Sequence, residues 1–174
     1  MHKIWLILDT SCPRGVVALS DRNNVIISSY MSDSKQHGDM LSETVEYCLN
    51  KVRLKIKDIY AIAVGTGPGS FTGIRIGLAF SKGLAIATGI PLIGLNTFAG
   101  MNSNNCDFIA LKAKNSNFYS WKIKENVFEI VNTPYSNTYL EIHGPSAENL
   151  AKLLPEKAYD ETLNLVPNYI RSNW

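Results

Sequence analysis

Gly65-Thr66-Gly67-Pro68-Gly69-Ser70-Phe71-Thr72-Gly73-Ile74-Arg75-Ile76-Gly77 decides how the rest of the chain is read. It follows Tyr60 to Val64, an apolar run of the kind that forms a strand covered on both faces. Glycine and proline stop that strand. From Phe71 to Thr88 the chain then reads as a helix, and Pro91 to Leu95 as a second buried strand. A strand, helix, strand unit places its two strands parallel. Working back, Ile4 to Asp9, Gly15 to Ser20 and Val25 to Tyr30 are three strands, with Asp21 to Asn24 as the turn between the last two. Asp39 can cap a helix running to about Val52, with Leu41, Val45, Cys48 and Leu49 on one face. Thr97 to Met101 adds a helical turn. Working forward, Asn102 to Asn105 is a polar linker. Strands follow at Phe108 to Lys112, Phe118 to Ile123, Val127 to Val131 and Leu140 to His143, then a helix from Ser146 to about Leu154. The second half begins like the first, although no repeat is visible in the residues themselves.

Charge sharpens this picture. Of the 174 residues 18% are charged, against roughly 25% for globular proteins. From Ile59 to Cys106 the only charged residues are Arg75 and Lys82. The dry window is the glycine-rich unit itself. Gly73 to Ile90 is interrupted by both charges and Ile4 to Leu8 is too short for a secretory leader, so neither a membrane span nor export is expected, and the expected address is cytoplasmic. A net charge of +2 with scattered basic residues does not suit a protein that holds nucleic acid by charge alone. Cys12, Cys48 and Cys106 are odd in number and widely spaced, and His2, His37 and His143 are isolated. Neither a disulfide framework nor a metal site is expected.

A glycine-rich turn between strand and helix offers backbone N–H groups and a positive helix end to an anion. The phosphate-loop pattern fails because no Gly-Lys pair occurs, and the dinucleotide pattern fails because Ser70 stands where its third glycine belongs. Two readings stay open for the loop of Gly65, Gly67, Gly69 and Ser70: an anion site, or a tight crossover whose glycines permit unusual backbone angles. At the end of the first strand Asp9, Thr10 and Ser11 offer a carboxylate that could orient a metal-bound water or a phosphate, or a strand-end aspartate bonded to turn N–H groups. Asp-Thr-Ser is not the Asp-Thr-Gly of an aspartic protease, and no second copy exists. Cys12 and Cys48 read as small buried hydrophobes, and His37 as a surface or capping residue. On a helical wheel Gly73, Gly77, Ser81 and Leu84 fall together beside Phe80. Arg75 and Lys82 share one strip bordered by Ala79 and Ile86. A helix apolar all round must be covered all round, either by its own chain or by a second protein.

The Gly65 to Gly77 segment closely resembles the signature of the TsaB (YeaZ) family. Ile7-Leu8-Asp9-Thr10-Ser11, His37 before a helix, Pro91-Leu92-Ile93-Gly94-Leu95-Asn96-Thr97 and Pro167-Asn168-Tyr169-Ile170-Arg171 agree with it. The resemblance implies an α/β fold of the actin-like ATPase (ribonuclease H-like) class with two lobes, here residues 1–101 and a shortened 107–174. It implies a non-catalytic partner of the catalytic subunit TsaD, joined by the ATPase TsaE, in transfer of threonylcarbamoyl to N6 of adenosine 37 in tRNA. It places Leu41, Val45, Leu49, Phe71, Gly73, Gly77, Phe80, Ser81 and Leu84 near an interface with Arg75 at its edge. No cofactor is firmly implied, though ATP or ADP at the partner junction and a homodimer of the free chain are both compatible. The family's old glycoprotease label finds no nucleophile or metal pair here. Where relatives carry Asp-Ala-Arg, this chain has Lys112-Ala113-Lys114, with Tyr119 in register. Two rivals remain: a stand-alone nucleotide-dependent kinase or hydrolase using Asp9 and the loop, and a homodimeric interaction module without a tRNA role.

Overall fold

The computed structural model describes residues 3–22, 24–32, 37–101, 107–112, 117–133 and 143–169, and the backbone of 138–140. The chain begins with β1 (Trp5–Asp9), β2 (Gly15–Ser20) and β3 (Val25–Met31), followed by the helix α1 (His37–Lys51). Then come β4 (Ala61–Gly65), α2 (Phe71–Thr88) and β5 (Leu92–Leu95). These five strands form one sheet in the order β3-β2-β1-β4-β5, antiparallel on the β3 side and parallel from β1 to β5. The element order expected from the dry window is borne out. α1 starts at His37, two residues before the expected Asp39.

Alternation along the strands builds two cores, one on each face. Leu6 and Leu8 of β1, Val17 and Leu19 of β2, and Ile62 and Val64 of β4 pack under α1 and α2. Trp5, Ile7, Val16, Ala18, Ala61 and Ala63 point the other way. They are covered by α3 (Ala147–Lys152), through Ala147, Leu150 and Ala151. Both faces are buried, which is why β1, β2 and β4 read as continuous apolar runs.

A second sheet contains β6 (Phe108–Lys112), β7 (Phe118–Lys122), β8 (Val127–Val131) and β9 (Thr138–Leu140), in the order β8-β7-β6-β9. β6 pairs antiparallel with β7 and parallel with β9, as β1 does with β2 and β4. The first four strands of the first sheet are therefore repeated in arrangement, with no fifth strand among the described residues. Phe98 is fully buried between the sheets, its ring 6.5 Å from Trp121 and 6.0 Å from Phe128. From 143 onward the chain returns to the first sheet: Arg14 N–H donates to His143 O, and Leu154 joins the core under β1 and β2. The expected linker at Asn102 to Asn105, the Ala113 and Lys114 positions, and Ile170 and Arg171 lie outside the described residues, as do His2 and Cys106.

Candidate functional site

Three parallel strands aim their C-terminal ends at one point. β1 ends in Asp9, β4 in Gly65, and Thr97 follows β5. In open α/β sheets this end is where sites are built. Asp9 is fully buried. Its Oδ1 accepts the Ser11 amide at 2.8 Å and the Ser11 hydroxyl at 2.6 Å, while Oδ2 accepts the Thr97 hydroxyl at 2.7 Å. Thr97 Oγ1 also accepts Gly67 N–H at 3.1 Å and lies 3.0 Å from Ser11 Oγ. Burial pushes the Asp9 carboxyl above its ordinary range. The Ser11 and Thr97 hydroxyls, the Ser11 amide and the nearby His37 pull it back down by smaller amounts.

The glycines around this carboxylate are there because something else occupies the space of a side chain. A Cβ on Gly65 would collide with the Asp9 carboxylate, one on Gly69 with Ser11 O, and one on Gly73 with Thr10 O. On Gly77 it would come 2.7 Å from Thr10 Oγ1. Gly67 has φ +97, a conformation few other residues adopt, and its missing Cβ faces Ile74 and Asn168 O. The loop is tied down by Ser70 N–H to Ser11 O at 2.6 Å and Thr10 Oγ1 to Gly73 O at 2.6 Å. Ser70 caps α2, its hydroxyl accepting Gly73 N–H at 3.2 Å. The N–H groups of Gly67, Ser70 and Gly73 are thus taken by the chain itself. The unusual backbone angle expected of the loop glycines is found at Gly67, whereas Gly65, Gly69 and Gly73 lack side chains because neighbouring atoms fill that space.

His37, expected at the surface or as a cap, is fully buried at the first residue of α1. Its Nδ1 donates to Thr10 O at 3.2 Å, and its buried Nε2 has no hydrogen-bond partner among the described residues. The reason is Gly15, whose lack of a side chain leaves room for the imidazole and for Met31. Cys12 and Cys48 are buried, as expected, and burial pushes the Cys48 thiol up to about 11. Among the described residues no group of three or more His, Cys, Asp or Glu is placed to hold a metal.

The ten interface candidates fall into three sets. Leu41, Gly73, Gly77 and Ser81 are buried under this chain's own sheet and strand ends. Val45 and Leu49 are mostly buried, but together with Phe80, Leu84, Leu54 and Ile56 they line a groove of about 400 Å³ between α1 and α2. Phe71 and Arg75 are exposed at the start of α2, and Ile86 is 71% exposed near its end. The small-residue side of the helix is covered by the chain itself and the Phe71, Arg75, Ala79, Ile86 side faces outward.

The family model described as TsaD: tRNA N6-adenosine threonylcarbamoyltransferase matches residues 28–170. The chain belongs to this family. The resemblance to TsaB (YeaZ) holds as well: the tRNA threonylcarbamoyladenosine biosynthesis protein TsaB of Escherichia coli K12 is 33% identical over 96 residues, covering 55% of this chain and 41% of that protein. A tRNA N6-adenosine threonylcarbamoyltransferase of Clostridium botulinum is 42% identical over 72 residues, covering 41% of this chain and 21% of that enzyme. The chain thus spans less than half the length of these two relatives. The structure of YeaZ from Pseudomonas aeruginosa superposes with a TM-score of 0.75 at 20% identity, covering 97% of this chain and 100% of that one. This TsaD/TsaB family member accordingly has the α/β fold of that YeaZ structure. Sequence reasoning placed Asp9, Ser11 and the glycines together but did not assign Thr97 to them. The available signal was its place directly after the third parallel strand. Among the described residues no helix is long and apolar enough to cross a membrane.

Proposed function

We propose that this chain is a non-catalytic partner subunit that pairs with a TsaD-like catalytic subunit in threonylcarbamoylation of tRNA at N6 of adenosine 37. The observation that carries the reading is the apolar groove of Val45, Leu49, Phe80 and Leu84, with Phe71 and Ile86 exposed on the outward side of α2, in a member of this family. Two half-buried helices with apolar outward residues suit a helix-to-helix contact. The strand-end cluster supports the same reading from the other side. Asp9 has both oxygens engaged by its own chain and is shut from solvent, which fits a framework residue better than a catalytic base. In this reading ATP or ADP sits at the junction with the partner, a TsaE-like ATPase joins the assembly, and tRNA is engaged through the complex, in the cytoplasm. Residues 1–101 form the partner-binding lobe. Residues 107–174 form a shortened second lobe whose 143–169 segment is laid back on the first.

Reconstitution tests it. The purified chain is combined with a TsaD-like subunit, a TsaE-like ATPase, threonylcarbamoyl-adenylate and unmodified tRNA, and the digested nucleosides are quantified. Modification should depend on the chain; unchanged modification when it is omitted would show the reading to be wrong.

A further inference from the structure

Tyr169, the last described residue, lies against the first turn of α2. Its ring centroid is 5.0 Å from that of Phe71. One turn along, the Arg75 guanidinium sits 3.7 Å from the Phe71 ring centroid, and its Nε donates to the Tyr169 hydroxyl at 3.1 Å. The plane of the guanidinium is set by Phe71 and its near edge by Tyr169. Its two terminal nitrogens are left over: the side chain is exposed, and no ion pair of Arg75 exists among the described residues.

Tyr169 is not a loose end. The segment leading to it runs along β5, the edge strand of the first sheet. Leu92 N–H donates to Asp160 Oδ1 at 3.2 Å, Glu161 N–H to Leu92 O at 2.7 Å, and Gly94 N–H to Glu161 Oε2 at 2.8 Å. Leu165 then fills the space beside Gly94, and Asn168 N–H donates to Thr66 O at 2.8 Å. A guanidinium held this way loses little further freedom on binding, and its free fork matches a carboxylate bidentately. α2 carries no acidic residue, Lys82 shares the strip with Arg75, and Ala79 and Ile86 beside that strip are exposed and apolar. The surroundings thus favour an apolar surface bearing an acidic side chain.

We propose that Phe71, Arg75 and Tyr169 form a preorganised docking point for a carboxylate side chain of the protein partner. Arg75 makes the contact, and Phe71 and Tyr169 are positioning residues. This rests on the partner-subunit reading above. The test is calorimetric titration of the full chain with the TsaD-like subunit at low and at physiological salt. Arg75→Gln should weaken binding by about 10- to 100-fold, and Arg75→Lys should recover only part of it, because lysine keeps the charge without the fork. Tyr169→Phe, which removes one exposed hydroxyl, should weaken binding by about 3- to 10-fold. Since that hydroxyl acts through Arg75, Arg75→Gln/Tyr169→Phe should bind no worse than Arg75→Gln alone. If Arg75→Gln binds within twofold of the parent chain while Leu84→Glu does not bind, the docking point is wrong and the partner reading stands. A parent chain with no affinity overturns both. Loss of affinity for unmodified tRNA in Arg75→Gln, with subunit affinity unchanged, would assign the fork to a phosphate and overturn the carboxylate.

Discussion

Gly65 has no room for a methyl group, because the Asp9 carboxylate occupies the place where its Cβ would stand. Gly65→Ala should therefore lower stability by about 2–3 kcal/mol, read by urea unfolding, through displacement of a carboxylate with three hydrogen bonds. Asp9 itself makes a pH-dependent prediction. Burial raises its folded-state pKa above the ordinary 3.8, so the folded chain keeps a proton that the unfolded chain releases. The stabilisation is complete below 3.8 and is lost as pH rises from there through the folded-state value. Asp9→Asn cannot ionise and keeps an acceptor for Ser11, so its stability relative to the parent should increase from about pH 4 to about pH 8. A difference that does not move with pH would contradict burial as the cause. Asp9→Ala removes three buried hydrogen bonds and should cost about 2–4 kcal/mol near pH 4 and less near pH 8, since it too cannot ionise. Asp9 and Ser11 are legible as a pair because they are two residues apart. Thr97 is 88 residues from Asp9, and His37 is buried only because Gly15 makes room for it; no local pattern records either fact.

At the scale of elements, α2 shows what a helical wheel can and cannot decide. Its sequence states that nearly every side is apolar, but the wheel is silent on which side meets the sheet. The close-packed side of Gly73, Gly77 and Ser81 suits a partner helix as well as it suits the strand end of its own chain. The structure puts Thr10 and Val64 against Gly77. Gly77→Glu is consequently a poor interface probe and should cost about 3 kcal/mol or more of monomer stability. Leu84→Glu, on the half-buried groove, should cost about 1–2 kcal/mol and abolish pairing, a contrast that thermal melts and pull-down with a TsaD-like subunit will read. The clasp on β5 is a second element-scale feature. Asp160 is held below its ordinary 3.8 by the Thr162 hydroxyl, then by the Thr162 and Leu92 N–H groups. Its contribution is full above 3.8 and is lost as pH falls through the folded-state value. Asp160→Asn/Glu161→Gln should raise amide exchange at Leu92 and Gly94 by about tenfold at neutral pH, with exchange at β1 unchanged.

Across the whole molecule, two sheets share one plan, β3-β2-β1-β4 matching β8-β7-β6-β9, yet among the described residues only the first has helices on both faces. The second is served by Phe98, Met101 and Cys12, contributed from the first sheet's side. Phe98→Ala should thus lower stability by about 3–5 kcal/mol and, in a single cooperative unfolding transition, affect both sheets together. Two separate transitions would show that the halves fold independently. The sequence by itself determined the order of strands and helices, since hydrophobic period and glycine or proline stops act over a few residues. It also determined the family, since the Gly65 to Gly77 signature is contiguous. Only the tertiary structure decided which apolar face of α2 is covered, that Thr97 closes on Asp9, and that Tyr169 reaches Arg75. Those contacts join residues 63 to 94 positions apart, and they are set by sheet order and shared volume, quantities that no local stretch of sequence contains.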